Sequence, residues 1–250
     1  MVSIAERRAA FRELHLQGCF AIPNPWDGGT AKRLAALGFK ALASTSAGAA
    51  WALGKDDGGM SMEEVLGHLR FLVGVTDLPV NADFEAGFAD TPAGVAANVA
   101  RCVDTGVAGL SIEDRDGQGL YPAPVAAARL RAARAAIEAS GQDVMLVGRC
   151  EAYLMRPLDL DEVIARLNAY AEAGADVLYA PGVRSLEDTA RIVREVSRPV
   201  NANLTATGLS VDDFAGVGVR RVSVGAALAK AAYDAFEGFA EGLAATGRLP

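Results

Sequence analysis

Histidine is nearly missing from this chain of 250 residues: there are two, His15 and His68, both in stretches of helical character. Without a histidine near a strand end, a Ser-His-Asp or Cys-His relay is excluded, and so is a zinc site built on imidazoles. Cysteine is scarce as well. Cys19, Cys102 and Cys150 are scattered without metal-type spacing, which reads as reduced thiols in a cytoplasmic protein. No uninterrupted apolar run is long enough to cross a bilayer. The opening "MVSIAERRAAFRELHLQG" lacks the apolar core of a signal peptide. No membrane partner is therefore expected. An excess of positive charge is lacking too: the formal net charge is −7. Such a surface repels phosphate backbones, so nucleic acid is not an expected partner. There is no linker, low-complexity tract or long repeat, so residues 1–250 read as one domain.

What the chain does have is apolar content, 51% of its residues, enough for one large core. It also has an alternation. Eight short β-rich runs stand at Cys19–Pro23, Ala41–Thr45, Pro79–Phe84, Gly109–Asp114, Val144–Arg149, Val177–Pro181, Pro199–Leu204 and Arg221–Gly225. Ala-, Leu- and Arg-rich segments of helical spacing separate them. Several of these end in glycine, at Gly38, Gly106, Gly174 and Gly218, the expected helix stop. Strand–helix alternation implies a parallel sheet. Eight units in a chain of this length fit a (β/α)8 TIM-type barrel. A doubly wound open sheet uses the same alternation, but no Gly-rich dinucleotide fingerprint follows the first strand. The last segment, 226–250, is helical and apolar on much of its surface. It either packs on the barrel or forms a subunit interface.

In a barrel the chemistry sits at the C-terminal strand ends. Asp27, Thr45, Ser46, Asp83, Glu85, Glu113, Asp114, Arg149, Asn201 and Asn203 all fall there. Asp83 and Glu85 are two residues apart, so on a continuous strand they would share one face. Buried carboxylates are costly unless paired or bound to metal, and Arg149 alone cannot satisfy three of them. An oxygen-only donor set without cysteine or histidine points to Mg²⁺ or Mn²⁺. Other readings stand beside this one. Arg149 can serve as an ordinary ion-pair partner, and Asn201 and Asn203 can satisfy backbone groups in the barrel core. Asp90, in "DTPAG", looks like a helix cap. Cys150 should face the helices and belong to the core.

The motifs "LGKDDGG" (Leu53–Gly59), "DFEAGF" (Asp83–Phe88), "SIEDR" (Ser111–Arg115), "GRCEAYL" (Gly148–Leu154) and "NANLT" (Asn201–Thr205) occur in one order. With "PNPWDGGTAKRLAALGFKALASTSAG" and "SVGAALAKAAYDAF" they resemble the isocitrate lyase/phosphoenolpyruvate mutase superfamily over most of the chain. The resemblance implies a (β/α)8 barrel whose last helix swaps onto a neighbouring subunit, giving a homodimer or homotetramer. It implies a Mg²⁺ site, with Asp83 as nearest ligand and Glu85 and Glu113 contributing directly or through water. Asp57 matches a family acid that follows the second strand, which implies a place in the outer shell of that metal. Thr45, Ser46 and Ala47 match the turn that holds a substrate carboxylate or oxyanion. Arg149 matches the substrate-binding arginine, and Asn203 lies near a substrate-contacting asparagine.

The departures from the family matter. The lyase loop motif K-K/R-C-G-H has no counterpart in "RDGQGLYPAPVAAARL" (Arg115–Leu130), and the Lys- and Asn-containing loop of the phosphonomutases is missing too. Within that loop Arg115 and Tyr121 are the candidates to replace the lost acid/base. The lyases' glutamate at the end of the sixth strand is absent from "LYAPGV". The expected activity is Mg²⁺-dependent carbon–carbon cleavage of a small 2-oxo or 2-hydroxy carboxylate through a pyruvate-type enolate. It would be oxaloacetate decarboxylase-like or methylisocitrate lyase-like, and the lost cysteine counts against the second. The alternatives are phosphonopyruvate P–C chemistry and an inactive oxo-acid-binding homologue.

Overall fold

A computed structural model describes residues 2–155, 159–204 and 208–248. Its strands are β1 (Phe20–Ile22), β2 (Leu42–Ala43), β3 (Val80–Asp83), β4 (Gly109–Glu113), β5 (Met145–Arg149), β6 (Val177–Tyr179), β7 (Val200–Asn203) and β8 (Arg221–Ser223). The helices are α1 (Ile4–Glu13), α2 (Gly28–Ala36), α3 (Ser46–Ala52), α4 (Met62–Val75), α5 (Pro92–Val103), α6 (Ala123–Ala139), α7 (Ala152–Met155), α8 (Leu160–Glu172), α9 (Leu186–Glu195), α10 (Val211–Gly216) and α11 (Ala227–Thr246). Each of the eight expected strands is present, shortened mostly at its C-terminal end. The residues lost from the ladders turn outward to build loops and helix caps: Thr45, for example, caps α3 by accepting from the Gly48 N–H.

The sheet is eight-stranded with neighbours β1-β8-β7-β6-β5-β4-β3-β2, and every pairing is parallel. That sequential order is a barrel order, not the reversing order of a doubly wound sheet. Between β1 and β2 the described residues form no ladder. The seam is spanned by the Ala43 N–H donating to the Pro23 carbonyl at 3.0 Å, and by the Asn24 amide donating to the Ser44 carbonyl at 3.0 Å. The result is a nearly closed (β/α)8 TIM barrel.

Gly38, Gly106, Gly174 and Gly218 all take positive φ, between 89° and 100°. A side chain there would strain the backbone, so glycine ends the helix and releases the chain into the next strand. Core packing lies between barrel and helices, where Leu66, Leu69, Val99 and Leu167 are fully buried; each such side chain contributes about 1.5–3 kcal/mol. Cys150 joins this layer, as expected of its outward position. The cysteines are all free. The barrel's lower mouth is plugged by α1. Phe11 reaches so far in that a Cβ on Gly109 would stand 2.8 Å from its ring. Among the described residues no helix is long and apolar enough to cross a membrane.

Candidate active site

β3 delivers Asp83 to the upper rim. There the chain departs from the expectation that Asp83 and Glu85 share a strand face. The strand ends at Asp83, and Phe84 to Gly87 form a turn closed by the Gly87 N–H donating to the Phe84 carbonyl at 2.9 Å. Glu85 takes φ 44° and Phe88 φ 53°, a left-handed region that costs a residue with a side chain about 1 kcal/mol or more. The turn is held from outside. Buried Arg129 donates to the carbonyls of Ala86, Ala89 and Asp90 at 2.6, 2.7 and 3.0 Å. The Asn98 amide donates to those of Gly87 and Phe88. Asp90 therefore serves through its backbone. The cap of α5 is Thr91, whose hydroxyl accepts from the Gly94 N–H.

The acids and Arg149 form one network. Arg149 Nη1 lies 3.2 Å from Asp83 Oδ1 and 3.0 Å from Glu113 Oε1, and its Nε lies 2.5 Å from Glu151 Oε1. Arg115 Nε bridges Glu113 at 2.9 Å and Glu151 at 3.5 Å. Burial alone would lower the pKa of Arg149; the surrounding carboxylates outweigh it and hold the guanidinium firmly charged. Asp83 is positioned further by the Ser46 N–H, which donates to its Oδ2 at 2.9 Å, and by the Ser44 hydroxyl, which accepts from its backbone N–H at 2.8 Å. Ser46 Oγ lies 3.4 Å from Asp57 Oδ1.

Glu85 stands apart. Its Oε1 is buried without a hydrogen-bond partner. Burial lifts its pKa to about 7, and the nearby charges of Asp83, Glu113 and Asp57 add to the rise.

Two cavities flank this network. One, of about 190 Å³, is walled by Ser44, the Thr45–Ala47 turn, Asp57, Asp83, Arg149 and Tyr179. The other, of about 370 Å³, is walled by Asp57, Glu85, Glu113 and Arg115. Asp57 lines both. Among the described residues no three Asp, Glu, His or Cys side chains are arranged as a ready metal site; Arg149 holds Asp83 and Glu113 instead. The donor set nevertheless suits a hard divalent cation. It consists only of oxygens, and one of them, Glu85 Oε1, is buried, unpartnered and faced by like charges.

The other expected residues are spread more widely. Asn203 donates from Nδ2 to the Tyr179 hydroxyl at 2.9 Å. Asn201 accepts from Arg221 in the barrel interior. Asp114, beside Glu113, turns away and is fully engaged with the Glu151 N–H, Arg166 and the Tyr170 hydroxyl. Tyr121 packs its ring on Arg129, 4.4 Å from ring centroid to guanidinium carbon, and walls neither cavity; Arg115 walls one. Thr205 of the "NANLT" motif lies outside the described residues. His15 sits past the end of α1, wedged edge-on between Phe11 and Phe20 under the barrel, where burial pushes its pKa down to about 3. His68, on α4, faces an apolar cavity with Trp26 and Phe71. Sequence reasoning missed Glu151, although an acid two residues beyond a strand-end arginine was a visible signal. It also missed Arg221 and Tyr179.

The family model described as phosphoenolpyruvate phosphomutase matches residues 11–244. A crystal structure of a candidate lyase/mutase from Burkholderia cenocepacia J2315 superposes with a TM-score of 0.95 at 44% identity, covering 98% of this chain and 91% of that one. Oxaloacetate decarboxylase 1 of Pseudomonas putida is 31% identical over 249 residues, 91% of this chain and 82% of its own length. The 2-methylisocitrate lyase of Escherichia coli is 32% identical over 180 residues, 68% of this chain and 60% of its own length.

Proposed function

This chain belongs to the phosphoenolpyruvate mutase/isocitrate lyase superfamily of lyases and mutases, and from that premise we propose that it is a Mg²⁺-dependent carbon–carbon lyase. Its substrate is a small 2-oxo carboxylate, and the reaction is decarboxylation of the oxaloacetate type. The observation that carries this reading is the acid network itself: Asp83, Glu85 and Glu113 gathered around Arg149, with a cavity on either side.

Asp83, Glu85 and Glu113 would hold the cation, with Asp57 behind them. Bound there, it supplies Lewis-acid stabilisation of negative charge developing on the substrate's oxygens. Arg149 binds the substrate carboxylate through Nη2, the guanidinium nitrogen that carries no carboxylate among the described residues. Asp83 and Glu113 on Nη1 and Glu151 on Nε fix the guanidinium in place, so it needs no reorganisation as charge develops. The Thr45–Ala47 turn borders the same cavity with backbone N–H groups and hydroxyls. Asn203 orients the Tyr179 hydroxyl at the cavity wall.

Decarboxylation asks little more. The carbon–carbon bond breaks, carbon dioxide leaves, and the electron pair remains as an enolate that solvent protonates. No dedicated base is required, which agrees with the absence of the lyase loop cysteine and with the placement of Tyr121 outside both cavities.

A second reading is supported by the phosphomutase family model: cleavage or transfer at the P–C bond of phosphonopyruvate. One experiment separates the two. Pyruvate release from oxaloacetate and phosphate release from phosphonopyruvate are measured with Mg²⁺ and with EDTA. The expected outcome is Mg²⁺-dependent pyruvate release well above the spontaneous rate and no phosphate. Phosphate release without accelerated decarboxylation overturns the reading. Tight oxo-acid binding without product would mark a homologue that has lost turnover.

A further inference from the structure

Arg221 opens β8 and points into the barrel, only 3% exposed. Its Nε donates to Asn201 Oδ1 at 2.8 Å and its Nη1 to Asn81 Oδ1 at 3.3 Å. Both acceptors are neutral amides. Among the described residues no carboxylate forms an ion pair with it; burial lowers its pKa to about 10, with the Tyr179 phenol as the only opposing influence. A guanidinium with such a pKa keeps its charge at physiological pH. A buried charge without a counter-ion is costly, and Phe11 and its apolar neighbours shut off the barrel floor beneath.

The cavity of about 190 Å³ that reaches Arg149 is also walled by Arg221. The two arginines differ in one respect. Asp83, Glu113 and Glu151 neutralise Arg149, whereas no carboxylate neutralises Arg221 among the described residues. The wall between them is polar, with Ser44, Asn81 and Ser111. One cavity is thus lined both by Asp83 and Arg149 of the acid network and by an arginine whose charge no carboxylate matches among the described residues.

We propose that Arg221 receives a second anionic group of the substrate and selects dicarboxylates over monocarboxylates. This rests on reading that cavity as the substrate site, and it assigns the deep end of the site to a residue on β8. Asn81 and Asn201, each the third residue of a similar five-residue stretch, PVNAD at 79–83 and PVNAN at 199–203, are then positioning residues that aim the guanidinium.

The test compares succinate with butyrate, which keeps the chain length and replaces one carboxylate by a methyl group. Their affinities are measured by calorimetry in the presence of Mg²⁺ on the wild type, Arg221→Gln and Asn201→Asp. The wild type should bind succinate at least about tenfold more tightly, the scale of one charge-assisted contact in a dry site. Arg221→Gln should bring the two affinities within about twofold by weakening succinate alone. Asn201→Asp keeps the arginine and supplies an internal carboxylate at the position 2.8 Å from Nε, so it should erase the preference even if Arg221→Gln fails to fold. Asp83→Ala should weaken both ligands. Loss of preference at Arg221 with no effect at Asp83 would support the deep subsite while contradicting the metal reading. Equal wild-type affinities, or a folded variant at either position with an intact preference, would overturn the proposal.

Discussion

Glu85 sits in the turn that follows β3. It carries positive φ without being glycine, has an unpartnered buried oxygen and titrates near 7. Its folded pKa lies above the 4.5 of an ordinary glutamate. The native state therefore holds a proton that the unfolded chain has released between those values, and stability falls as pH rises from about 4.5 to about 7. Glu151 is raised as well, chiefly by burial, and adds a slope of the same sign. In EDTA, urea midpoints should decline across this window and level off above it. Glu85→Gln should remove part of the decline, on the order of 1–2 kcal/mol after solvent screening. Saturating Mg²⁺ should flatten the wild-type curve. A slope unchanged by both would mean that Glu85 does not face the other acids. Asp83 and Arg149 were legible in the sequence because strand ends are where barrels keep their chemistry. Glu151 and Arg221 were passed over: the first lies in the loop beyond β5, where its spacing from Arg149 was the only signal, and the second begins a strand rather than ending one.

The elements were legible through alternation and through the four glycines that stop helices; their boundaries were not. The rim residues that carry chemistry leave the strand ladder early, so period-two reasoning carried Glu85 onto a strand that had already ended at Asp83. The same limit applies to the start of α5. Asp90 and Thr91 are both good capping types, and only the geometry separates them: Thr91 caps, while Asp90 offers its carbonyl to Arg129. Thr91→Ala should cost about 1 kcal/mol in chemical unfolding, and Asp90→Ala less than about 0.5 kcal/mol. Equal losses would contradict the cap assignment. Because this helix follows the Glu85 turn, the first variant should also raise the Mg²⁺ concentration needed for half-maximal turnover.

At the scale of the whole molecule, α11 is the incomplete part. Ala229 is its one buried residue among those described, and Tyr233 meets Trp51 edge-on at 6.3 Å. Beyond that point Phe236, Phe239 and Leu243 are exposed, spaced three and four residues apart along one helix face. Trp26, Tyr233 and Phe236 border an apolar cavity beside them. The occupant proposed for this face is a neighbouring copy of the chain, onto which α11 would swap. Sequence alone could not separate this from packing on the barrel, because both call for the same apolar stripe. Light scattering on the full chain should give a dimer or tetramer, and Phe236→Asp with Phe239→Asp should give monomers that keep the barrel's circular dichroism. A monomeric wild type would contradict the assignment.

We propose that a divalent cation held by the acid network drives carbon–carbon cleavage. The most direct test is the initial rate of pyruvate formation from oxaloacetate, followed against Mg²⁺ concentration for the wild type and Asp83→Ala side by side. The expected result is a saturable Mg²⁺ dependence in the wild type and a loss of about 100-fold or more in the variant. A wild-type rate that persists in EDTA, or an undiminished Asp83→Ala, would contradict it.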